Sequence, residues 1–167
     1  GRAAARNKGV RSTSGDIVVF LDSDMEVREG FLRAHLDAHR ANPHTAVVGC
    51  IEWPKGGGFL GYIGSRGIRK LKPGETIPPW YFVTGNASVE RRDLPDGRPF
   101  NEHLPGWGGE DLELGIRLNT AGVNFAYAPG AVAYHNFNGT LAEHVRRTYR
   151  YGESSLPVLI DRYPALE

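Results

Sequence analysis

The sequence predicts an α/β fold with a mostly parallel central sheet and flanking helices. Two observations carry that expectation. Residues 17–21 (IVVFL) form a short continuous apolar run of β-formers bounded by turn residues, the pattern of a strand covered on both faces. Around it, helical and strand-like segments alternate along the chain.

The elements follow in order. Residues 2–11 are rich in Ala, Arg and Lys, good helix formers, and Gly15 is placed to stop that helix in a left-handed conformation. The apolar run then ends in Asp22-Ser23-Asp24. Residues 29–41 repeat apolar positions at helical spacing (Phe31, Leu32, His35, Leu36), and Asn42-Pro43 closes the segment. Residues 46–51 (AVVGCI) read as a second strand. Residues 55–67 hold Gly56, Gly57, Gly58, Gly61 and Gly64 and read as a loop, and residues 72–79 as a further irregular stretch. Residues 81–83 and 87–89 read as strand material bent at Gly85-Asn86. Gly106-Trp107-Gly108-Gly109 precedes a helix over residues 110–120 that Gly122 stops. Residues 125–128 and 131–134 read as short strands, and residues 141–151 as a basic helix ended by Gly152. No internal repeat or domain boundary interrupts the chain, so residues 1–167 are expected to form a single domain.

Composition narrows the class. The chain has 167 residues, with 20 Lys+Arg against 19 Asp+Glu, a formal net charge of +1. That balance argues against a dedicated nucleic-acid-binding domain. No apolar run approaches the roughly 20 residues that cross a bilayer. A lone cysteine, Cys50, has no internal disulfide partner. The chain opens on Gly1 within a helical pattern and carries no charged-then-apolar leader, so it is expected to be a piece of a longer protein.

Three segments carry chemistry. Asp22-Ser23-Asp24 stands at the carboxyl end of an apolar strand, where open α/β sheets bind ligands. Two carboxylates so spaced can share one divalent cation, and hard oxygen ligands suit magnesium or manganese. Asp and Ser are equally good turn and N-cap residues. In GWGGEDLELGIRL, Glu110 and Asp111 fall in a first helical turn, beside an adaptable aromatic loop. Leu112, Leu114, Ile116 and Leu118 anchor that helix in a core. A carboxylate fixed on a rigid element is what a general base needs; acidic N-terminal capping explains the same residues. His135 closes a strand before Asn136-Phe137-Asn138-Gly139 and reads as a metal ligand or a buried hydrogen-bonded histidine. His35 and His39 are spaced for zinc but lack a third ligand, which leaves them a core or surface role. Arg146, Arg147 and Arg150 read as a solvated face or a diphosphate contact; with Arg162 they also suggest contact with an anionic membrane surface, although the segment shows no apolar face for it.

ARNKGV followed by GDIVVFLDSD resembles the nucleotide-sugar-binding region of family 2 glycosyltransferases with the GT-A fold. The resemblance implies a partial GT-A fold, the C-terminal portion of such a domain, lacking the first nucleotide-binding strands. It implies a donor side formed by Arg6, Asn7, Asp22, Ser23 and Asp24, with Asp22, Asp24 and His135 on a manganese or magnesium ion. GWGGED is similar to the acceptor-side motif of β-1,4-galactosyltransferases and chondroitin-type polymerases. That similarity implies Asp111 as catalytic base, and Trp107, Gly108 and Glu110 on the acceptor, with Trp107 stacking on a sugar. Retaining relatives that modify polypeptides tend to have Asn at this position, so Asp111 favours inversion.

The expected reaction is metal-dependent transfer from a nucleotide diphosphate sugar, UDP-linked by preference, to a hydroxyl acceptor such as a glycan. The expected location is the cytoplasm, with peripheral contact at the inner membrane face. Two rivals remain. One is a nucleotidyltransferase that makes sugar nucleotides, although no glycine- and lysine-rich phosphate loop is visible. The other is a non-catalytic carbohydrate-binding remnant.

Overall fold

The computed structural model describes residues 1–70, 76–95 and 97–166. Helices α1 (Arg2–Arg11) and α2 (Phe31–Ala41) frame strands β1 (Ile17–Leu21) and β2 (Met25–Val27). Strand β3 (Thr45–Glu52), helix α3 (Gly58–Gly64) and strand β4 (Asn86–Glu90) follow. Helix α4 (Glu110–Thr120), strand β5 (Asn124–His135) and helices α5 (Leu141–Glu153) and α6 (Ser155–Arg162) complete the order.

The five strands form one sheet in the order β1-β4-β3-β5-β2. The α/β class stands, but the sheet is mixed rather than mostly parallel. Only β3 and β5 pair in parallel; β4 runs antiparallel to both β1 and β3, and β2 antiparallel to β5. An apolar run reports burial, not direction, so β1 reads the same with an antiparallel neighbour. The C-terminal ends of β1, β3 and β5 therefore share one sheet edge with the beginnings of β2 and β4. This edge carries the site.

Alternation along β3 explains the layering. Ala46 and Val48 face one core with Val18, Phe20, Phe82, Phe100, Leu114 and Leu118. Val47 faces the other with Phe31, Ala128, Ala131 and Ala133 beneath α2. Leu114 and Leu118 seat α4 in the first core as expected, and Gly122 at φ +83 ends that helix.

Several local expectations change. α1 ends at Ser12 in a right-handed conformation, and Gly15 does not supply a left-handed stop. Part of the glycine-rich stretch coils into α3 rather than remaining loop. Pro79–Tyr81 is a 3-10 turn, so β4 starts only at Asn86. Residues 72–75 of the expected irregular stretch lie outside the described residues. The two short strands near the C-terminus are one strand, β5. Its pairing with β3 shifts register between Gly49↔Ala128 and Cys50↔Val132, so residues 129–131 bulge out. Pro129 at that bulge has no N–H to give to a ladder. No helix among the described residues is long and apolar enough to cross a membrane.

Behind the sheet edge lies a buried polar network. Asn86 donates to the carbonyls of Cys50 (3.1 Å) and Ala131 (2.8 Å), plugging the gap that the bulge opens. Its Oδ1 therefore accepts from His35 Nε2 at 3.0 Å. His35 Nδ1 meets Ser88 Oγ at 2.9 Å, and Ser88 meets His39 Nε2 at 2.8 Å. His35 and His39 thus take the core role. Burial pushes both imidazoles below the usual histidine range, against the opposing pull of the Asn86 bond on His35.

Candidate active site

A cleft of about 1320 Å³ opens at the shared sheet edge. Asp22, Ser23, Asp24, Trp107, Gly108, Glu110, Asp111 and His135 all line it, together with Arg6.

The acidic turn is built by its two flanking strands. Asp22 N–H donates to Gly85 O (3.3 Å) beside β4, and Met25 N–H closes the turn on Asp22 O (3.2 Å). Ser23 sits exposed at its tip. β2 then pairs with the end of β5, with Met25 opposite His135. Asn136 N–H donates to Asp24 O at 2.9 Å. Asp24 Oδ2 and His135 Nε2 consequently lie 3.2 Å apart. Trp53 packs edge-on against the His135 ring with centroids at 4.4 Å, and Phe137 packs from another side at 5.6 Å. His135 Nδ1 is buried without a hydrogen-bond partner.

One carboxylate oxygen and one imidazole nitrogen converging on an open cleft fit a divalent cation whose other positions are taken by water or phosphate oxygens. Asp22 does not join that pair: its Oδ1 turns to Arg6 at 3.2 Å. No group of three such ligands gathers among the described residues.

Arg6 joins the two halves of the cleft. Beyond Asp22, its guanidinium reaches Glu110 Oε1 at 2.7 Å and Asp111 Oδ1 at 3.5 Å. Arg2 adds a second cation 3.5 Å from Glu110 and sits 4.8 Å over the Trp107 ring. One face of Trp107 is thereby covered. Glu110 lines the cleft but is largely buried, and its Oε1 is tied to Arg6 and Arg2, an arrangement that orders α1 against α4.

Asn7 corrects an expectation. It is fully buried and away from the cleft. Its side chain donates to Phe100 O (2.8 Å) and Glu102 Oε1 (2.8 Å) and accepts from Phe100 N–H (2.9 Å). It pins α1 to the segment before α4. Sequence adjacency to Arg6 suggested a shared role, but neighbouring helical residues point about 100° apart.

The GWGG loop is also less free than its composition implied. Gly106, Gly108 and Gly109 have positive φ, and a Cβ on Gly106 would overlap Ser154 Oγ. Gly109 starts α4, with Leu159 and Ser155 of α6 packed against it. The loop is braced from behind, which fixes Asp111 in the first helical turn.

Asp111 keeps 26% of its side-chain surface. Its Oδ1 accepts a hydrogen bond from Thr84 Oγ1 at 2.6 Å. Burial raises its pKa above the usual aspartate range; Arg6 and the Thr84 bonds oppose that rise, and Glu110 adds to it. Of the three arginines on α5, Arg147 lines the cleft, while Arg146 and Arg150 are exposed and do not. Sequence reasoning missed Thr84, Arg2 and Trp53, which stand in no recognisable motif and reach the site through the fold alone.

Comparisons with known proteins identify the family and the fold. Residues 1–96 match the family described as glycosyl transferase family 2, and residues 67–140 match the N-terminal domain of galactosyltransferase. The uncharacterized glycosyltransferase YfnE of Bacillus subtilis is 28% identical over 81% of this chain and 47% of its own length. The pre-mycofactocin glycosyltransferase of Mycobacterium tuberculosis is 31% identical over 98% of this chain and 36% of its own. The chain therefore spans less than half the length of these relatives.

Among solved structures, GalNAc-T7 with UDP, GalNAc and Mn2+ superposes with a TM-score of 0.60 at 21% identity, over 89% of this chain and 34% of that one. Glucosyl-3-phosphoglycerate synthase from Mycobacterium tuberculosis, in complex with Mn2+, UDP-glucose and glycerol 3-phosphate, superposes with a TM-score of 0.55 at 21% identity, over 97% of this chain and 55% of that one. These likenesses support the partial GT-A fold. With a family match over more than half of its residues, the chain belongs to glycosyl transferase family 2.

Proposed function

We propose that this domain transfers a sugar, with inversion, from a nucleoside diphosphate donor to a hydroxyl acceptor. The observation that carries the reading is one cleft with a carboxylate–imidazole pair, Asp24 and His135, on one side and the half-buried Asp111 on another.

The donor lies along the Asp22-Ser23-Asp24 turn, with its diphosphate within reach of Arg6 and Arg147. Asp24 and His135 would hold a manganese or magnesium ion. When bound, such an ion supplies positive charge to a leaving diphosphate. Asp111 accepts the proton of the acceptor hydroxyl as the oxygen attacks the anomeric carbon from the face opposite the diphosphate. One displacement inverts that carbon. The raised pKa of Asp111 makes it a stronger base than an exposed aspartate. Trp107 offers its uncovered face to the apolar side of a sugar, and Gly108 lets the acceptor approach the backbone. UDP is the preferred nucleotide, since UDP or a UDP-sugar occupies both solved neighbours. The reading places the protein in the cytoplasm. Exposed Leu141, Val145 and Tyr149 beside Arg146 and Arg150 on α5 support contact with the inner membrane face.

The test is nucleoside diphosphate release by the intact protein from a panel of UDP-sugars with manganese, in the wild type and in Asp111→Asn. Turnover in the wild type, its loss in the variant and retained donor binding are expected. Undiminished turnover by Asp111→Asn removes Asp111 as the base. Release of pyrophosphate instead of nucleoside diphosphate points to a nucleotidyltransferase, and sugar binding indifferent to nucleotide and metal points to a binding module.

A further inference from the structure

Thr84 is buried completely, yet it carries a hydroxyl. A buried hydroxyl without a partner is costly, and valine would fill the same volume without that demand. Here the hydroxyl has a defined use: Oγ1–H donates to Asp111 Oδ1 at 2.6 Å, and the Thr84 backbone also bonds to the carboxylate. Thr84 comes from outside α4, in the segment that leads into β4.

The residues that follow tie the same segment to the opposite side of the cleft. Gly85 O accepts the Asp22 N–H, and a Cβ on Gly85 would press to 3.2 Å from Asp22 Oδ2. Asn86 then locks the segment into the sheet through Cys50 O and Ala131 O. From the other direction, α4 packs on the Pro79–Tyr81 turn, where Gly115 leaves room for Pro79 O and Phe82. Three consecutive residues therefore hold the acidic turn and the Asp111 carboxylate against one rigid sheet strand.

We propose that Thr84 is a positioning residue, fixing the Asp111 carboxylate in one orientation and registering it against the Asp22–Asp24 turn. This rests on the reading of Asp111 as the base. Loss of the hydroxyl leaves the carboxylate to the Thr84 backbone and to Arg6 from α1, with Glu110 beside it on α4, and Arg6 is shared with Glu110 and Asp22. A hydrogen bond to a charged acceptor favours the ionised form, so its removal raises the midpoint of Asp111 further.

Thr84→Val, Thr84→Ser and Asp111→Asn separate the possibilities in the intact protein. Carbon-13 NMR titration of the Asp111 carboxyl is expected to give a higher midpoint in Thr84→Val and a wild-type midpoint in Thr84→Ser. With the UDP-sugar that the wild type turns over, Thr84→Val is expected to lose about tenfold or more in kcat. Its donor KM stays unchanged and the acid limb of its pH profile moves to higher pH; Thr84→Ser recovers both. Coincident midpoints in Thr84→Val and the wild type overturn the proposal. So does an inactive Asp111→Asn alongside a Thr84→Val of normal rate and pH profile, an outcome that leaves the base reading intact. An active Asp111→Asn overturns the base reading, and the Thr84 assignment falls with it.

Discussion

Asp24 Oδ2 lies 3.2 Å from His135 Nε2 because Met25, the next residue, is the ladder partner of His135. A three-residue strand, β2, is the device that brings a turn early in the chain onto the end of the last strand. The ladder hydrogen bonds fix the separation, and the Trp53 and Phe137 rings fix the imidazole.

From that pairing, Asp24→Asn and His135→Ala are each expected to weaken manganese binding by about tenfold or more. Calorimetric titration of manganese into the protein saturated with UDP measures this. Asp24→Asn keeps the wild-type melting temperature within a few degrees, since the Asp24 side chain is exposed, whereas His135→Ala also loses its packing against Trp53 and Phe137. Wild-type manganese affinity in both variants rules the pair out as ligands.

Asn7 and Arg6 are adjacent, yet their variants are expected to fail in different ways. Asn7→Ala removes two buried hydrogen bonds and one part-buried one and is expected to lose about 2 to 4 kcal/mol of stability in urea unfolding. Arg6→Ala is expected to raise the donor KM and lower kcat, because its guanidinium touches Asp22, Glu110 and Asp111. Equal urea midpoints for Asn7→Ala and the wild type contradict the structural assignment.

The His35–Ser88–His39 network makes stability depend on pH. Both imidazoles have folded-state midpoints below the ordinary histidine value. As pH falls through about 6.5, the unfolded chain gains these protons first, so stability drops until the folded-state midpoints are reached. Above that pH the network is fully neutral and contributes no slope. Melting temperatures between pH 8 and pH 5 are expected to fall less for His39→Gln than for the wild type. Glu90 and Asp93, whose charges oppose the burial effect on His39, are unchanged in that comparison.

Gly49 stands where β3 and β5 part, and a Cβ there would overlap the Asn86 side chain. Gly49→Ala is expected to displace Asn86, strip the bonds to Cys50 O and Ala131 O, and destabilise the protein by about 2 kcal/mol. Chemical denaturation reads this directly; an unchanged midpoint shows that the bulge tolerates a methyl group.

Much of the site was legible because its residues stand in short contiguous patterns. Asp22-Ser23-Asp24 follows an apolar strand, and Glu110-Asp111 follows three glycines and a tryptophan. Turn chemistry and helix starts are local physics, so the sequence alone determines where these carboxylates sit on their elements. It also determines that His35 and His39 fall on one helical face. It does not reveal that Asn7 turns inward while Arg6 turns toward the cleft, nor that Glu110 is claimed by two arginines.

Those outcomes are set by groups distant in sequence. Arg6 and Glu110 are 104 positions apart, and Thr84 and Asp111 are 27 apart. Strand direction belongs with them, since β4 is inserted between β1 and β3 only when its hydrogen-bonding partners are chosen. Side-chain periodicity encodes which face of an element is buried; it carries no information on which neighbour supplies the ladder or the counter-charge. The chain's own order therefore decided its carboxylates, glycines and helix ends, while assembly of the sheet decided which carboxylate meets a histidine, which an arginine and which a threonine.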